Sequence, residues 1–279
     1  MRPLRALVLC LASLSVAWNS AALPKAGRFS VITYNVAGLP EGLSESHPAA
    51  NLPLIGERLS RYDLALVQED FAYADSLRLK LTLPFQSRPF VRGERYDFGD
   101  GLSVFSRFRF GELVRTAWTT CHGLTSDYFD CLTPKGFSVT TLELADGARL
   151  DVYDVHLDAG YSEADRNARS SQLEQLAAAV IAHSADRAAL VGGDFNLEPG
   201  EFVKLERFEH ATGLEDTCSV LRCSDMKRID RVLYRAASDL RLVPTSWRIA
   251  PGFVDARGAS LSDHEPVRVD FRWQRRTGS

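Results

Sequence analysis

The segment VGGDFNLEPG, residues 191–200, places a carboxylate and an amide two positions apart behind a pair of glycines. Alternate side chains of an extended chain point the same way, so Asp194 and Asn196 would project together from the apolar run 188–191. Burying either group costs free energy unless it is paired. The segment is therefore either a turn, where Asp and Asn are common for local reasons, or a chemical site whose glycines bring the strand end close to a ligand.

The same arrangement recurs along the chain, because polar residues flank most of the short apolar runs. Strand ends of an open α/β sheet converge where ligands bind, so the recurrence predicts a single cleft. The predicted strands are 29–34, 64–67, 102–105, 137–144, 150–155, 188–191, 228–234 and 267–271. The polar sets are Asn35, Gln68 with Glu69, His156 with Asp158, Asp194 with Asn196, Asp230, and Asp263 with His264.

These residue types suit the hydrolysis of a phosphate ester by an activated water. Glu69 is a hard oxygen ligand for magnesium and Asn35 is a neutral one, while Asp194 and Asn196 can hold a water or a phosphate oxygen. Of the remaining groups, His156 and His264 can donate to a developing anion, and Asp230 can fix a histidine tautomer. Together they predict metal-assisted, in-line attack of water on phosphorus.

Ordinary structural roles remain open for several of these positions. Asp230 can pair with Arg228 or Arg231 across a strand. The run Asp158-Ala159-Gly160 also reads as a loop. The arginines at 107, 109 and 115 suit a solvated edge, with phosphate contact as the alternative.

The elements that must position the cleft are strands interleaved with fewer helices. Helices are predicted at 52–61, 73–81 and 163–184, the last with apolar residues at helical spacing. The chain lacks repeats and linker-like segments, and it lacks a strict βαβ alternation. This pattern predicts a single domain of stacked mixed sheets flanked by helices.

The N-terminal region predicts export. Residues 1–22 combine a basic start, an apolar stretch too short to span a bilayer, and small residues near Ala22, which is typical of a secretory signal peptide. The catalytic domain would then occupy residues 23–279 in a secreted or periplasmic protein. Without the two arginines of the signal peptide, the chain has 31 basic and 36 acidic residues, a formal charge of −5. This negative charge disfavours non-specific binding to nucleic acid.

Four cysteines lie beyond the predicted signal peptide, at positions 121, 131, 218 and 223. An even count in an exported chain favours disulfides. Sequence proximity favours Cys121–Cys131 and Cys218–Cys223 among three possible connectivities. A zinc site is the alternative, although the spacings lack a CxxC pair.

Six ordered motifs resemble the endonuclease/exonuclease/phosphatase superfamily, which has the DNase I-like fold. They are residues 34–35, 67–69, 155–157, 192–196, 228–231 and 262–267. The resemblance implies an α/β fold, a four-layer α/β sandwich with two mixed β-sheets packed face to face. It also implies a role for each matching position: metal binding by Glu69 with Asn35 and Asp263, water activation by Asp194, phosphate binding by Asn196, phosphorane stabilisation by His264 oriented by Asp230, and protonation of the leaving oxygen or phosphate binding by His156.

Within the superfamily, the chain looks most like secreted sphingomyelinase C-type phosphodiesterases, through residues 68–71, 99–106, 121–123, 135–137 and 156–160. This narrower resemblance implies Mg²⁺, with Mn²⁺ as an alternative, and a monomer acting on a phosphate ester with a lipid head group. It adds Asp100 and Asp158 as substrate-binding residues.

Two departures leave the head group open. The stretch 243–261 has few aromatic residues for membrane contact, so peripheral membrane contact is predicted to be weak, and Asp158 stands where such enzymes tend to have Gln. The other functions considered are a nuclease, an inositol-phosphatase-like phosphomonoesterase, and a binding module that has lost catalysis.

Overall fold

The computed structural model of the chain describes residues 25–44, 46–90, 98–123, 127–145 and 147–276. The predicted signal peptide, residues 1–22, lies outside these ranges. The strands are β1 (Ala26–Asn35), β2 (Leu64–Gln68), β3 (Phe85–Gln86), β4 (Ser103–Ser106), β5 (Arg109–Phe110), β6 (Val114–Ala117), β7 (Gly136–Ala145), β8 (Ala148–His156), β9 (Ala189–Asp194), β10 (Glu215–Asp216), β11 (Asp230–Arg235), β12 (Leu240–Ile249) and β13 (Val267–Arg275).

Helices connect these strands and lie outside the sheets. They are α1 (Pro48–Leu59), α2 (Ala74–Arg78), α3 (Glu163–Ser184), α4 (Phe202–Thr212) and α5 (Thr217–Leu221), with short 3₁₀ helices at Asp127–Leu132 and Pro199–Glu201. Among the described residues, no helix is long and apolar enough to cross a membrane.

The strands form two mixed sheets. One has the order β12-β13-β1-β2-β4-β3, and the other has the order β10-β11-β9-β8-β7-β5 with β6 also paired to β7. Each sheet contains one parallel pair, β1 with β2 and β8 with β9, and the other pairs are antiparallel. The register sets Asn35 beside Gln68 in one sheet and His156 beside Asp194 in the other. The carboxyl ends of the parallel strands therefore carry most of the predicted polar sets.

Three apolar layers hold the sandwich together. Residues such as Val31, Leu66 and Leu190 fill the space between the sheets. A second cluster joins α1 to the outer face of the first sheet, and a third joins α3 and α4 to the outer face of the second. The predicted four-layer α/β sandwich is confirmed.

Each of the eight predicted strands overlaps an observed strand, although those predicted at 102–105, 188–191 and 228–234 begin one or two residues too early. The predicted helix 163–184 is α3. The side chain of Ser162 caps α3, accepting from the backbone N–H of Asp165, whose carboxylate accepts in return from the N–H of Ser162. The helix predicted at 52–61 begins earlier, at Pro48, since proline fits the first helical turn. The helix predicted at 73–81 is shorter, at Ala74–Arg78.

Both predicted disulfides are present. The Cα atoms of Cys121 and Cys131 are 5.4 Å apart, and those of Cys218 and Cys223 are 4.9 Å apart. The four sulfurs are bonded in pairs, which excludes the zinc alternative for this state of the protein.

Removing the larger loop closure is expected to destabilise the fold. In the chain-entropy account, the double variant Cys121→Ser/Cys131→Ser loses roughly 2–3 kcal/mol of unfolding free energy. Chemical denaturation of the oxidised protein measures this loss, and the Cys218→Ser/Cys223→Ser pair, which opens a smaller loop, should lose less. Unchanged stability in the first variant, or free thiols at these positions in the purified protein, would contradict the expectation.

Candidate active site

The centre of the site is the Asn35 amide, which joins the ends of the two sheets. Its Nδ2 donates to Glu69 Oε1 at 3.0 Å and to Asp194 Oδ2 at 3.1 Å. Glu69 follows β2 with a positive φ of 60°, a left-handed conformation that is uncommon for residues other than glycine. Residues held in such conformations cluster at functional sites. Here the conformation occurs at a glutamate whose carboxylate lies close to that of Asp194 in the other sheet.

Asp194 is buried at the end of β9 and meets four polar groups. Its Oδ1 accepts from the Asn196 N–H at 3.0 Å, and its Oδ2 lies 3.6 Å from His156 Nε2 and 3.7 Å from His264 Nε2. Burial raises the pKa of Asp194 to about 6, with His264 opposing the rise. At neutral pH this carboxylate is therefore ionised, but it is a stronger base than an exposed aspartate, as a water-activating group requires.

His264 and Asp230 form an ion pair beside Asp194. His264 Nδ1 lies 3.0 Å from Asp230 Oδ2 and 3.1 Å from Oδ1. Burial alone would lower the pKa of His264, but the carboxylates of Asp230, Asp194 and Asp263 outweigh it and raise that pKa to about 10. The ring is therefore an imidazolium at neutral pH, with its Nε2–H directed towards the reacting region.

A purely structural role for Asp230, pairing with Arg228 or Arg231, is confirmed only for Arg228. Arg228 Nη2 does lie 3.6 Å from Asp230 Oδ2. Arg231 instead pairs with Asp216. Asp230 thus holds His264 and Arg228 together, and the first contact is the shorter.

His156 is neutral, in contrast to His264. Its ring is buried, and burial together with the charges of Lys135 and His264 lowers its pKa well below the usual value. Its Nδ1 has no hydrogen-bond partner among the described residues. A neutral imidazole is no strong proton donor, so binding a phosphate oxygen fits His156 better than protonating the leaving group.

Asn196 stands beside Asp194 in a left-handed conformation, with φ of 49°. Its Nδ2 donates to Leu157 O at 3.1 Å, which fixes the amide and leaves its second hydrogen for a ligand.

The glycines before Asp194 lie where neighbouring atoms leave no room for a side chain. A Cβ at Gly193 would lie 1.9 Å from Val155 O, and one at Gly192 would lie 2.7 Å from Leu66 Cδ1. They allow close packing of β9 against β8 and the facing sheet, and the approach of the strand end to phosphate stays a prediction.

Glu69 and Asp194 provide the donor set that fits a hard divalent cation. Both carboxylates lie within hydrogen-bond distance of one amide group, so their oxygens converge, and oxygen ligands are the type that Mg²⁺ takes. Asp194, Asp230 and His264 also have ligand atoms within 4.8 Å of one another. That second group is less suitable, because a protonated imidazole has no lone pair to offer.

Asp263 lies at the exposed rim, adjacent to His264. Its Oδ1 accepts from Ser262 Oγ at 3.1 Å, and the same hydroxyl is 2.7 Å from the Asn35 carbonyl. Ser262 thus ties the segment bearing Asp263 and His264 to the end of β1.

Sequence reasoning gave no role to Lys135, a buried cation near these carboxylates. Its ammonium pairs with Asp130, and burial, which would lower its pKa, is outweighed by Asp130, Glu69 and Asp194, which raise it. The available signal was its position directly before β7, another polar group at a strand end.

The side chains of Asp100 and Asp158 are buried and directed into the protein interior. Asp100 accepts from Arg115 Nη1 at 2.6 and 2.7 Å, so Arg115 belongs to a half-buried ion pair and the solvated-edge interpretation was wrong for it. Asp158 is fully buried, accepts from the His122 N–H at 2.7 Å, and has its pKa raised to about 6 by burial and then by Asp130. Both carboxylates anchor loops beside the cleft, and direct contact with substrate stays a prediction.

These features coincide with a known family. Residues 32–264 match the Endonuclease/Exonuclease/phosphatase family, and the chain belongs to it.

More closely, the chain is similar to a sphingomyelinase of Mycobacterium tuberculosis, with 34% identity over 275 residues, covering 88% of this chain. It spans about half of that relative, 53% of its length. The fold is also that of sphingomyelinase C from Streptomyces griseocarneus, with a TM-score of 0.61, 18% identity, and 88% and 99% of the two chains covered. A Staphylococcus aureus beta toxin variant with bound magnesium ions has a TM-score of 0.65, 16% identity, and 87% and 99% covered.

Proposed function

We propose that this chain is an exported, Mg²⁺-dependent phosphodiesterase that cleaves a phospholipid of the sphingomyelin type. The observation that carries the proposal is the meeting of Glu69, Asn35 and Asp194 with the His264–Asp230 pair at the converging strand ends. The similarity to a sphingomyelinase supports the lipid substrate. The catalytic domain would begin after a signal peptide ending near residue 22.

The residues divide the chemistry between them. Asp194, with a pKa near 6, takes a proton from the attacking water, and Asn196 holds a non-bridging oxygen with its free amide hydrogen. The His264 imidazolium faces the charge that grows on the phosphoryl oxygens. As the water oxygen bonds to phosphorus, the ester P–O bond on the opposite side breaks, and the proton taken up by Asp194 returns through solvent to the leaving oxygen. A divalent cation held by Glu69 and Asp194, with Asn35 and Asp263 beside them, would act as a Lewis acid and neutralise phosphate charge.

The stretch 243–261 gives little for membrane insertion, and the charge of the chain does not favour polynucleotides. Phe253 of the stretch 243–261 is buried, with its ring 5.0 Å from that of Tyr34 and 6.3 Å from that of Tyr62. The negative net charge of the chain opposes non-specific DNA binding. We infer a peripheral, weak contact with lipid surfaces and a monomer.

A substrate panel tests this proposal. Purified mature protein should release phosphocholine from sphingomyelin vesicles faster than it cleaves phosphatidylcholine, phosphatidylethanolamine, plasmid DNA, RNA or inositol phosphates. Faster cleavage of plasmid DNA or inositol phosphates would reassign the substrate while leaving the site in place.

Metal removal is expected to abolish the activity. Chelation should reduce hydrolysis to background, and Mg²⁺ or Mn²⁺ should restore it. Glu69→Gln should raise the Mg²⁺ concentration needed for half-maximal rate, because a neutral amide is a weaker ligand than a carboxylate. Isothermal titration with Mg²⁺ gives an independent reading, with the exposed-residue variant Glu112→Gln as control. Full activity in excess chelator would remove the metal from the account.

The pH dependence of kcat/KM should be bell-shaped. Asp194 must be ionised to act as a base, so the rate should fall as pH drops through about 6. His264 must stay protonated, so the rate should fall again as pH rises through about 10. A divalent cation favours the ionised carboxylate, so raising Mg²⁺ should move the acid limb to lower pH. An acid limb near pH 4 at every metal concentration would contradict the assignment of the base.

A further inference from the structure

Among the described residues, β1, β13 and β12 of the first sheet expose side chains on their outer face at the end remote from the catalytic cleft. A cleft of about 490 Å³ lies there, which we call the arginine cleft. Its volume is within the range of small-molecule sites. Its lining includes Arg28, Arg241 and Arg272, with Val243 and Gln274 beside them.

The register of the sheet places two of these arginines directly against each other. Arg28 of β1 is the antiparallel partner of Arg272 of β13. Like charges directly opposite one another on one face destabilise a sheet unless a counter-charge lies between them. Arg241 lies one row further along β12, opposite Gln274, so a third positive charge is close by.

A second arginine pair on the same face has its like-charge repulsion compensated by a carboxylate. Arg268 and Arg248 are also cross-strand partners, but both reach the carboxylate of Asp270. Arg268 Nη2 donates to Asp270 Oδ1 at 2.7 Å, and Arg248 Nη2 lies 3.5 Å from Oδ2. Ser246 Oγ also donates to Asp270 Oδ2, so both carboxylate oxygens of Asp270 have partners.

The arginine cleft has no such counter-ion within the described part of the chain. No carboxylate there lies within 4.0 Å of Arg28, Arg241 or Arg272, and all three side chains are exposed. This concentration of positive charge stands on a chain whose net charge is negative. Guanidinium groups match phosphate oxygens in pairs, so a ligand with several phosphate oxygens supplies the missing charge.

We propose that the arginine cleft is a binding site for a small soluble phosphoanion carrying two or more negative charges. A membrane surface fits the geometry less well. Asn35 lies seven residues along β1 from Arg28, about 23 Å at the rise of a β-strand, so a membrane held by the arginines would face away from the catalytic cleft. The site is independent of the catalytic groups, and the proposal stands even if the chain is no phosphodiesterase.

Calorimetric titration with tripolyphosphate, in divalent-free buffer at constant ionic strength, tests the proposal. The double variant Arg28→Gln/Arg272→Gln is compared with Arg257→Gln, which removes one exposed charge at the other end of the sheet. Each arginine lost from the cleft should weaken binding by about tenfold, while Arg257→Gln should bind like wild type. Any phosphate binding at the catalytic cleft is common to all variants and cancels in the comparison.

Two further readings guard the result. The double variant relieves a like-charge contact, so its Tm without ligand should match or exceed that of wild type, and only wild type and Arg257→Gln should gain Tm with tripolyphosphate. None of the three proteins should co-sediment with vesicles of phosphatidylcholine and phosphatidylglycerol. Equal affinity in all three proteins would overturn the site, and arginine-dependent vesicle binding without tripolyphosphate binding would overturn the soluble ligand.

Discussion

Asp194→Asn is expected to lower kcat by about 10²–10⁴, the usual contribution of a general base. The substitution keeps the side-chain volume and lets the amide oxygen accept from the Asn196 N–H, so the fold should survive. Burial raises the pKa of Asp194, which means that the ionised form costs folding free energy. That cost grows as pH rises from the unfolded pKa through about 6, and the neutral amide removes it. The Tm at neutral pH should therefore change little, because this gain opposes the loss of the oxygen that accepts from Asn35 Nδ2.

This pairing of effects separates catalysis from structure. If Asp194 only shaped a turn, Asp194→Asn would keep kcat and lower Tm. Asp186→Asn, an exposed aspartate beyond the end of α3, is the matched control and should change neither quantity. Wild-type kcat in Asp194→Asn would remove this residue from the mechanism.

His264→Ala is expected to lower kcat by roughly 10²–10³, the loss typical of removing one donor to a developing anion. It also leaves Asp230 and Asp194 without their shared cation, so its Tm should fall as well. The stability lent by the raised pKa of His264 is fully present below the ordinary histidine pKa and lost as pH rises through about 10. The Tm difference between wild type and variant should therefore shrink at alkaline pH.

A control variant and a double variant test whether the His264→Ala effect is specific. His210→Ala removes an exposed histidine of α4 and should leave kcat and Tm unchanged. Combining His264→Ala with Asp194→Asn should cost less than the product of the single losses, because both groups act on one transition state. Fully multiplicative losses would show that the two residues serve separate steps.

The sequence predicted the parts of the fold that apolar runs dictate. Strands such as β8 and β9 are continuous buried runs, and α3 has an apolar stripe with a capping box, so each is visible without tertiary information. β12 was missed because it includes a proline and alternates with exposed charged and polar residues. α4 was missed although its sequence has helical spacing.

The site was predictable as a set of residues, but its electrostatics depend on partners from distant strands. Burial lowers the pKa of both His156 and His264, and the contrast between a neutral and a charged ring then depends on Lys135 and Asp230, which come from other strand ends. The pairing of Asp100 with Arg115, and the packing of Gly193 against Val155, follow from strand order. The left-handed turn at Glu69 has no local sequence signal such as glycine.

Steady-state hydrolysis of sphingomyelin by wild type and Asp194→Asn, each with Mg²⁺ and with excess chelator, decides whether this chain is a metal-dependent phosphodiesterase with Asp194 as its base. We expect phosphocholine release by wild type with Mg²⁺, and a rate at least about 10²-fold lower in the variant. In chelator we expect background release, with unchanged folding by circular dichroism in every sample. Release that is insensitive to the chelator and equal in wild type and Asp194→Asn would contradict both expectations.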